Sequence, residues 1–152
     1  MANSLIIGDD NNVAAWAYAT FKVYPMQFDR VYGILNEDRT LVGAIILNNF
    51  NGNNIELSYY GYKTLSAGIV RSLCRLGVAE FNPSRCTVLV PKRNKRLMRS
   101  LDRFGWKLEG VQRRFYGKQD NNRNTCVRFV LFRDQIDKIA GLTSNHPKQG
   151  QG

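Results

Sequence analysis

Apolar residues along the chain change their spacing several times, and each change marks an element. Residues 5–8 form a short apolar run closed by Asp9, Asp10, Asn11 and Asn12, types that accept hydrogen bonds from the first N–H groups of a helix. The pattern predicts a strand over 5–8 and a helix over 13–21, which Pro25 prevents from continuing. Residues 30–35 and 41–47 are rich in branched and aromatic side chains and flank the polar Asn36, Glu37, Asp38 and Arg39, so a hairpin is expected. A second turn over 48–54, with Gly52 at its middle, leads into a strand over 55–60. Alternation there places Ile55, Leu57 and Tyr59 on one face and Glu56, Ser58 and Tyr60 on the other.

The period then lengthens. Ile69, Val70, Leu73, Cys74, Gly77, Val78 and Phe81 fall at helical spacing over 66–81, with Ser66 as cap and Pro83 as stop. Residues 86–90 are continuously apolar, as in a strand covered on both faces, and Pro91 ends them. Asn94 caps a second helix whose stripe is Leu97, Met98, Leu101 and Phe104, and Gly105 terminates it. Strands are expected over 107–116 and 125–132 around a polar loop at 117–124. No element is assigned between 132 and 141, and the small and polar residues from Gly141 onward predict a disordered tail. The order predicts an α/β (α+β) chain in which only the strand-helix-strand unit at 55–90 implies a parallel pair.

Length adds a bound: 152 residues suit one domain, here 1–140 with a tail at 141–152, burying roughly 70% of its unfolded surface. Charge adds a partner class. The net charge is +10, and eleven Lys or Arg against two acids fall between residues 85 and 118, a field that attracts anions. Cys74, Cys86 and Cys126 are odd in number and irregularly spaced, so neither a disulfide framework nor a metal motif is expected. No cluster of His, Cys or acids has metal-ligand spacing, and the one histidine, His146, lies in the tail, away from any catalytic role. There is no apolar run of roughly 18 residues and no basic-then-apolar N-terminus, which points to a cytoplasmic protein with no membrane partner.

One segment carries a family pattern. Asn94 opens a helix, Gly105 and Trp106 end it, and Glu109 and Gly110 follow. This resembles the GNAT (general control-related N-acetyltransferase) superfamily. It is closest in form to the ribosomal-protein alanine acetyltransferase branch, down to the basic pair Arg113 and Arg114. The element order resembles the family over about residues 5–133. Strongly basic members of this kind also look like small proteins encoded by bacteriophages. The resemblance implies a mixed, mostly antiparallel central sheet of about seven strands with helices on both faces. It also implies an acetyl-CoA-dependent N-acetyltransferase whose amine acceptor, protein or small molecule, the sequence does not name.

By the same resemblance, the loop before the helix at 66–81 receives the coenzyme A pyrophosphate on backbone N–H groups and the helix N-terminus. The family pattern is a basic residue or Gln, two variable positions, Gly, one variable position, then Gly or Ala. Here the register is Leu65, Ser66, Ala67, Gly68, Ile69, Val70, so Gly68 matches and Leu65 and Val70 depart. Val70 is expected to crowd a closely approaching phosphate. Lys63, Ser66 and Arg71 would add donors or charge, and Asn94 would touch the pantetheine arm as well as capping its helix. The bland alternative is that Gly68 permits close helix packing.

An amine with a solution pKa near 10 must lose a proton before it attacks a thioester. The resemblance assigns that base to Glu56, and the thioester oxygen to a backbone N–H at Tyr59 or Tyr60, where the two central strands of such folds splay apart. Leu101 stands where the family often has an acidic tyrosine, which leaves water or the hydroxyls of Tyr60 and Tyr116 to protonate the leaving group. A solvated Glu56 and tyrosines serving only core or surface are the alternatives. A rival to catalysis is a non-catalytic module, virion-associated in one version. It would bind nucleic acid or an acidic protein surface through Lys92, Arg93, Lys95, Arg96, Arg99 and Arg103, a face that equally suits the adenosine 3′-phosphate of coenzyme A.

Overall fold

Branched residues at 30–48 zip into the expected hairpin, β2 (Arg30–Leu35) with β3 (Leu41–Asn48), around which the rest of the sheet assembles. A computed structural model describes residues 3–142, so His146 and most of the expected tail lie outside the described residues. β1 (Ser4–Ile6) adds to the free edge of β2, and β4 (Asn54–Gly61) adds antiparallel to β3. β5 (Arg85–Pro91) pairs parallel with β4, and β7 (Cys126–Phe132) lies antiparallel between β5 and β6 (Lys107–Gln112). The seven strands run in the order β1-β2-β3-β4-β5-β7-β6, with a single parallel pair.

Helices cover both faces. α1 (Asp10–Phe21) buries Val13, Ala14 and Ala17 against Val31, Ala44 and Ile46, small side chains that let the helix lie close to the sheet. It starts earlier than the apolar pattern indicates because the Asp10 carboxylate accepts from the Val31 N–H at 3.0 Å and pairs with Arg30. α2 (Ala67–Phe81), α3 (Lys95–Arg103) and α4 (Arg133–Ala140) lie over the opposite face, on the larger core of Tyr32, Ile45, Ile55, Val88, Val90 and Phe129. Trp106, 9% exposed, joins that core as its position after the helix stop suggests.

Two expectations need correction. The strand predicted over 107–116 ends at Gln112, because Arg114 takes a left-handed φ of 57° and Phe115 and Tyr116 donate to the Asn124 carbonyl in a turn. Residues 133–140 form α4, which the chain signalled with Ile136 and Ala140 on one face and the Arg133–Asp137 pair at 2.7 Å. α4 docks on α2 through Arg75 Nε, which donates to the Ala140 carbonyl at 2.7 Å, and on the end of α3 through Gln135, which donates to Phe104 O at 3.0 Å. No helix among the described residues is long and apolar enough to cross a membrane.

Candidate functional site

β4 and β5 pair only from Asn54↔Arg85 to Leu57↔Val88, although β4 continues to Gly61 and β5 to Pro91. The centre of the sheet therefore opens into a gap beyond Leu57. Tyr62 N donates to Val42 O, and donors on one edge of a strand recur every second residue. The even-numbered N–H groups of β4 thus serve β3, and the odd-numbered ones face β5. Past the last paired residue, the Tyr59 N–H points into the gap and the Tyr60 N–H is used by β3.

The side chain of Tyr59 lies on the larger core and folds back along its own strand. Its hydroxyl donates to the Lys63 carbonyl, which fastens the loop that leads to α2, and burial raises its pKa. That loop ends at Ser66, whose Oγ accepts from the Ile69 N–H at 3.3 Å, while Val70 N donates to Ser66 O. The N–H groups of Ala67 and Gly68 have no hydrogen-bond partner among the described residues, and both residues are exposed. Close packing does not explain Gly68: a Cβ built there meets nothing within 4 Å, and its φ is not in the left-handed region. Val70 does not crowd the helix N-terminus either, because its half-buried side chain lines the cavity behind it. Lys63 is exposed at the loop, whereas the Arg71 guanidinium lies against Gly141 at the C-terminal end of α4.

Behind the helix N-terminus, α2 and α3 stand apart over β4 and β5 and enclose a cavity of about 190 Å³. Its walls are apolar, with Val70, Leu73 and Cys74 from α2, Leu97 and Leu101 from α3, and Leu57 and Tyr59 from the sheet. Burial pushes the Cys74 thiol up to about 11, so it stays protonated. Asn94 caps α3 by accepting from the Leu97 N–H at 3.1 Å.

On the other face of β4, Asn49 donates to Glu56 Oε1 at 3.1 Å, and Glu56 lies in register between Asn48 and Thr87. The Oδ1 of Asn48 is buried without a hydrogen-bond partner, an orphan among the described residues that sequence reasoning did not single out. Tyr60 is four residues further on, about 13 Å along the strand. Its ring packs with Phe21 at 6.1 Å, which in turn touches Trp16 and Tyr62. Tyr116 reaches the same place from the turn after β6, its hydroxyl directed at Cys126 and close enough to Tyr60 for the two to interact electrostatically. Desolvation raises the pKa of both tyrosines, and the neighbouring Cys126 raises that of Tyr116 further. The structure thus brings Tyr60 and Tyr116 together and leaves Glu56 apart. Cys126, buried beside Tyr116 and with its thiol donating to Gln112 Oε1 at 3.9 Å, is a member of this group that only the pairing of β7 reveals.

Of the basic residues, Lys92, Arg96, Arg99 and Arg103 gather over one groove on the far side of α3, whereas Arg93 and Lys95 lie outside it. Arg113 pairs with Asp120 across the following turn. Among the described residues no group of three or more His, Cys, Asp or Glu is placed to hold a metal ion.

Comparison with known proteins bears on the fold. No protein-family model matches the chain, and no curated protein matches its sequence. Solved structures do. A spermidine N-acetyltransferase SpeG chimera from Vibrio cholerae and hSSAT superposes with a TM-score of 0.69 at 12% identity, covering 90% of this chain and 99% of the other. Mutant forms of the V. cholerae spermidine/spermine N-acetyltransferase SpeG give 0.70 at 11% identity, over 90% and 96%. The V. cholerae enzyme in complex with manganese ions gives 0.69 at 10% identity, over 95% and 97%. The mixed, mostly antiparallel seven-stranded sheet with helices on both faces is the GNAT fold.

Proposed function

We propose that the protein is an N-acetyltransferase that takes its acetyl group from acetyl-CoA and passes it to an amine. The observation that carries this reading is Gly68. A glycine in the first turn of a helix costs about 0.5–1 kcal/mol relative to alanine, and neither packing nor backbone conformation here repays it. A phosphate approaching the free N–H groups of Ala67 and Gly68 does need the open space. The residues present fit the cofactor: the α2 N-terminus with Ser66 and Lys63 would hold the pyrophosphate, and the apolar cavity between α2 and α3 would take the pantetheine arm. When bound, acetyl-CoA supplies an acyl group activated as a thioester.

The chain's own groups then have distinct tasks. The Tyr59 N–H, fixed by the strand and facing the gap, is a preorganised donor for a developing oxyanion. Glu56 is the base, and the unsatisfied Oδ1 of Asn48 beside it offers a position for a water that relays the amine proton. Tyr60 and Tyr116 keep their protons through neutral pH because burial raises their pKa, so either can donate to the leaving group. The segment from Asn94 to Gly110 supports kinship with ribosomal-protein alanine acetyltransferases, and the net charge of +10 disfavours a polycationic acceptor such as the one for which the structural neighbours are named.

Isothermal titration with acetyl-CoA, followed by transfer assays on a panel of peptide and small-molecule amines, tests the reading. Micromolar binding and turnover that falls by about a hundredfold in Glu56→Gln support it. Absence of acetyl-CoA binding by the folded protein rejects it.

A further inference from the structure

α3 separates two grooves of different character. Leu97 and Leu101 face the cavity beside α2, whereas Arg96, Arg99 and Arg103 turn the other way, over β6 and β7. With Lys92 they wall a groove of about 860 Å³ whose floor is apolar. Leu108 and Val111 of β6 contribute to that floor and are 64% and 53% exposed. β6 is the edge strand, and their exposure shows that no strand or helix among the described residues covers them.

The register accounts for this mixture. Leu108 pairs with Phe129 and Val111 with Val127, which puts both on the α3 side of the sheet; the irregularity between Leu108 and Gly110 lets these residues three apart share that side, while Glu109 alternates to the opposite face and pairs with Arg85. An acid that could have neutralised the groove is thereby removed from it. Asp102 is the one acid lining the groove, and among the described residues none of the four cations forms an ion pair. Isolated exposed leucines are ordinary, but two aliphatic side chains on one side of an edge strand beneath four unpaired cations form a surface with a defined complement.

We propose that this groove binds an acidic amphipathic segment of a partner protein, its apolar side chains on Leu108 and Val111 and its carboxylates against Arg96, Arg99 and Arg103. Charge complementarity selects the partner. A second copy of this chain would bring another net charge of +10 to the same cations. A single strand of nucleic acid would need aromatic faces for stacking, and Phe129, the aromatic residue in the groove, is 7% exposed; a duplex needs only the cations and would leave Leu108 and Val111 unused.

Fluorescence anisotropy on the full chain tests the proposal with a labelled peptide of alternating glutamate and leucine, an all-glutamate peptide of the same length and a labelled DNA duplex. The amphipathic peptide is expected to bind at least about tenfold more tightly than the all-glutamate peptide, with Arg99→Glu abolishing that binding. The double change Leu108→Ser with Val111→Ser, at exposed positions that the fold does not need, is expected to erase the preference between the two peptides. Excess coenzyme A leaves the bound peptide in place. Equal affinity for both peptides, tighter binding of the duplex through the same arginines, or displacement by coenzyme A each overturns the proposal.

Discussion

The ring of Tyr59 lies where a side chain on Gly61 would have to go. A Cβ built on Gly61 is 2.7 Å from Tyr59 Cε1 and closer still to its hydroxyl, which is also the group that holds Lys63 O. Two residues apart on β4, they share one face, and the glycine lets the ring fold along the strand and anchor the loop that begins α2.

Gly61→Ala is therefore expected to destabilise the protein by about 1–3 kcal/mol, through displacement of the ring and loss of its hydrogen bond. Tyr59→Ala removes the obstacle, so the double variant should lose less than the sum of the single changes. Urea denaturation of all four proteins measures that coupling, and strict additivity would show that the contact is unimportant.

Gly68 separates stability from binding. Gly68→Ala adds no clash and should stabilise by about 0.5–1 kcal/mol, visible as a higher Tm. Gly68→Asp should also preserve the fold, since an acid in the first turn suits the helix dipole, but it should abolish acetyl-CoA binding in titration calorimetry. Loss of folding in Gly68→Asp would contradict the open space observed around this residue.

Tyr116 and Tyr60 predict a pH profile. Because both hydroxyls are held above the ordinary tyrosine value, transfer activity should show no alkaline decline from these groups below about pH 10. Tyr116→Phe should lower kcat by about a hundredfold if its proton is the one donated. If only Tyr60→Phe does so, the acid is Tyr60.

Stability should fall at both extremes of pH for different reasons. Burial pushes the Cys86 thiol from 9.0 up to about 12 and Cys74 up to about 11. Above pH 9 the unfolded chain releases protons that the folded one retains, so stability declines between about 9 and 12. Cys86→Ala should flatten that decline. Glu80 behaves oppositely: its hydrogen bond with Arg30, at 2.8 Å, and that from Tyr32, at 3.1 Å, hold its pKa below 4.5. Its contribution is present above 4.5 and is lost as pH falls below it, which thermal melts of Glu80→Gln across pH 3–7 would reveal as a smaller acid dependence.

The parts of the candidate site that rest on local chemistry were legible in the chain. Ser66 and Asn94 were readable as caps because capping needs only a short polar side chain before an apolar period. The faces of β4 were readable because alternation is a property of any strand. What Gly68 is for was not legible, since a glycine that permits packing and one that faces open space look alike until the neighbours are known. Tyr116 and Cys126 could be named but not joined, because they meet only when β7 folds back beside β6 and the intervening turn ends the strand early.

By itself the amino-acid order determined which segments as far as Phe132 are strands and helices, where most of them stop and which side of each faces inward, because hydrophobic period, caps and prolines act over a few residues; it did not do so for α4, which has no capping side chain. Tertiary structure alone decided that β7 would lie between β5 and β6, and that β4 and β5 would part after Leu57. It also decided that α2 and α3 would stand apart around an apolar cavity. Those features depend on which strand edges find each other across the intervening elements, a competition between whole elements that no local pattern records.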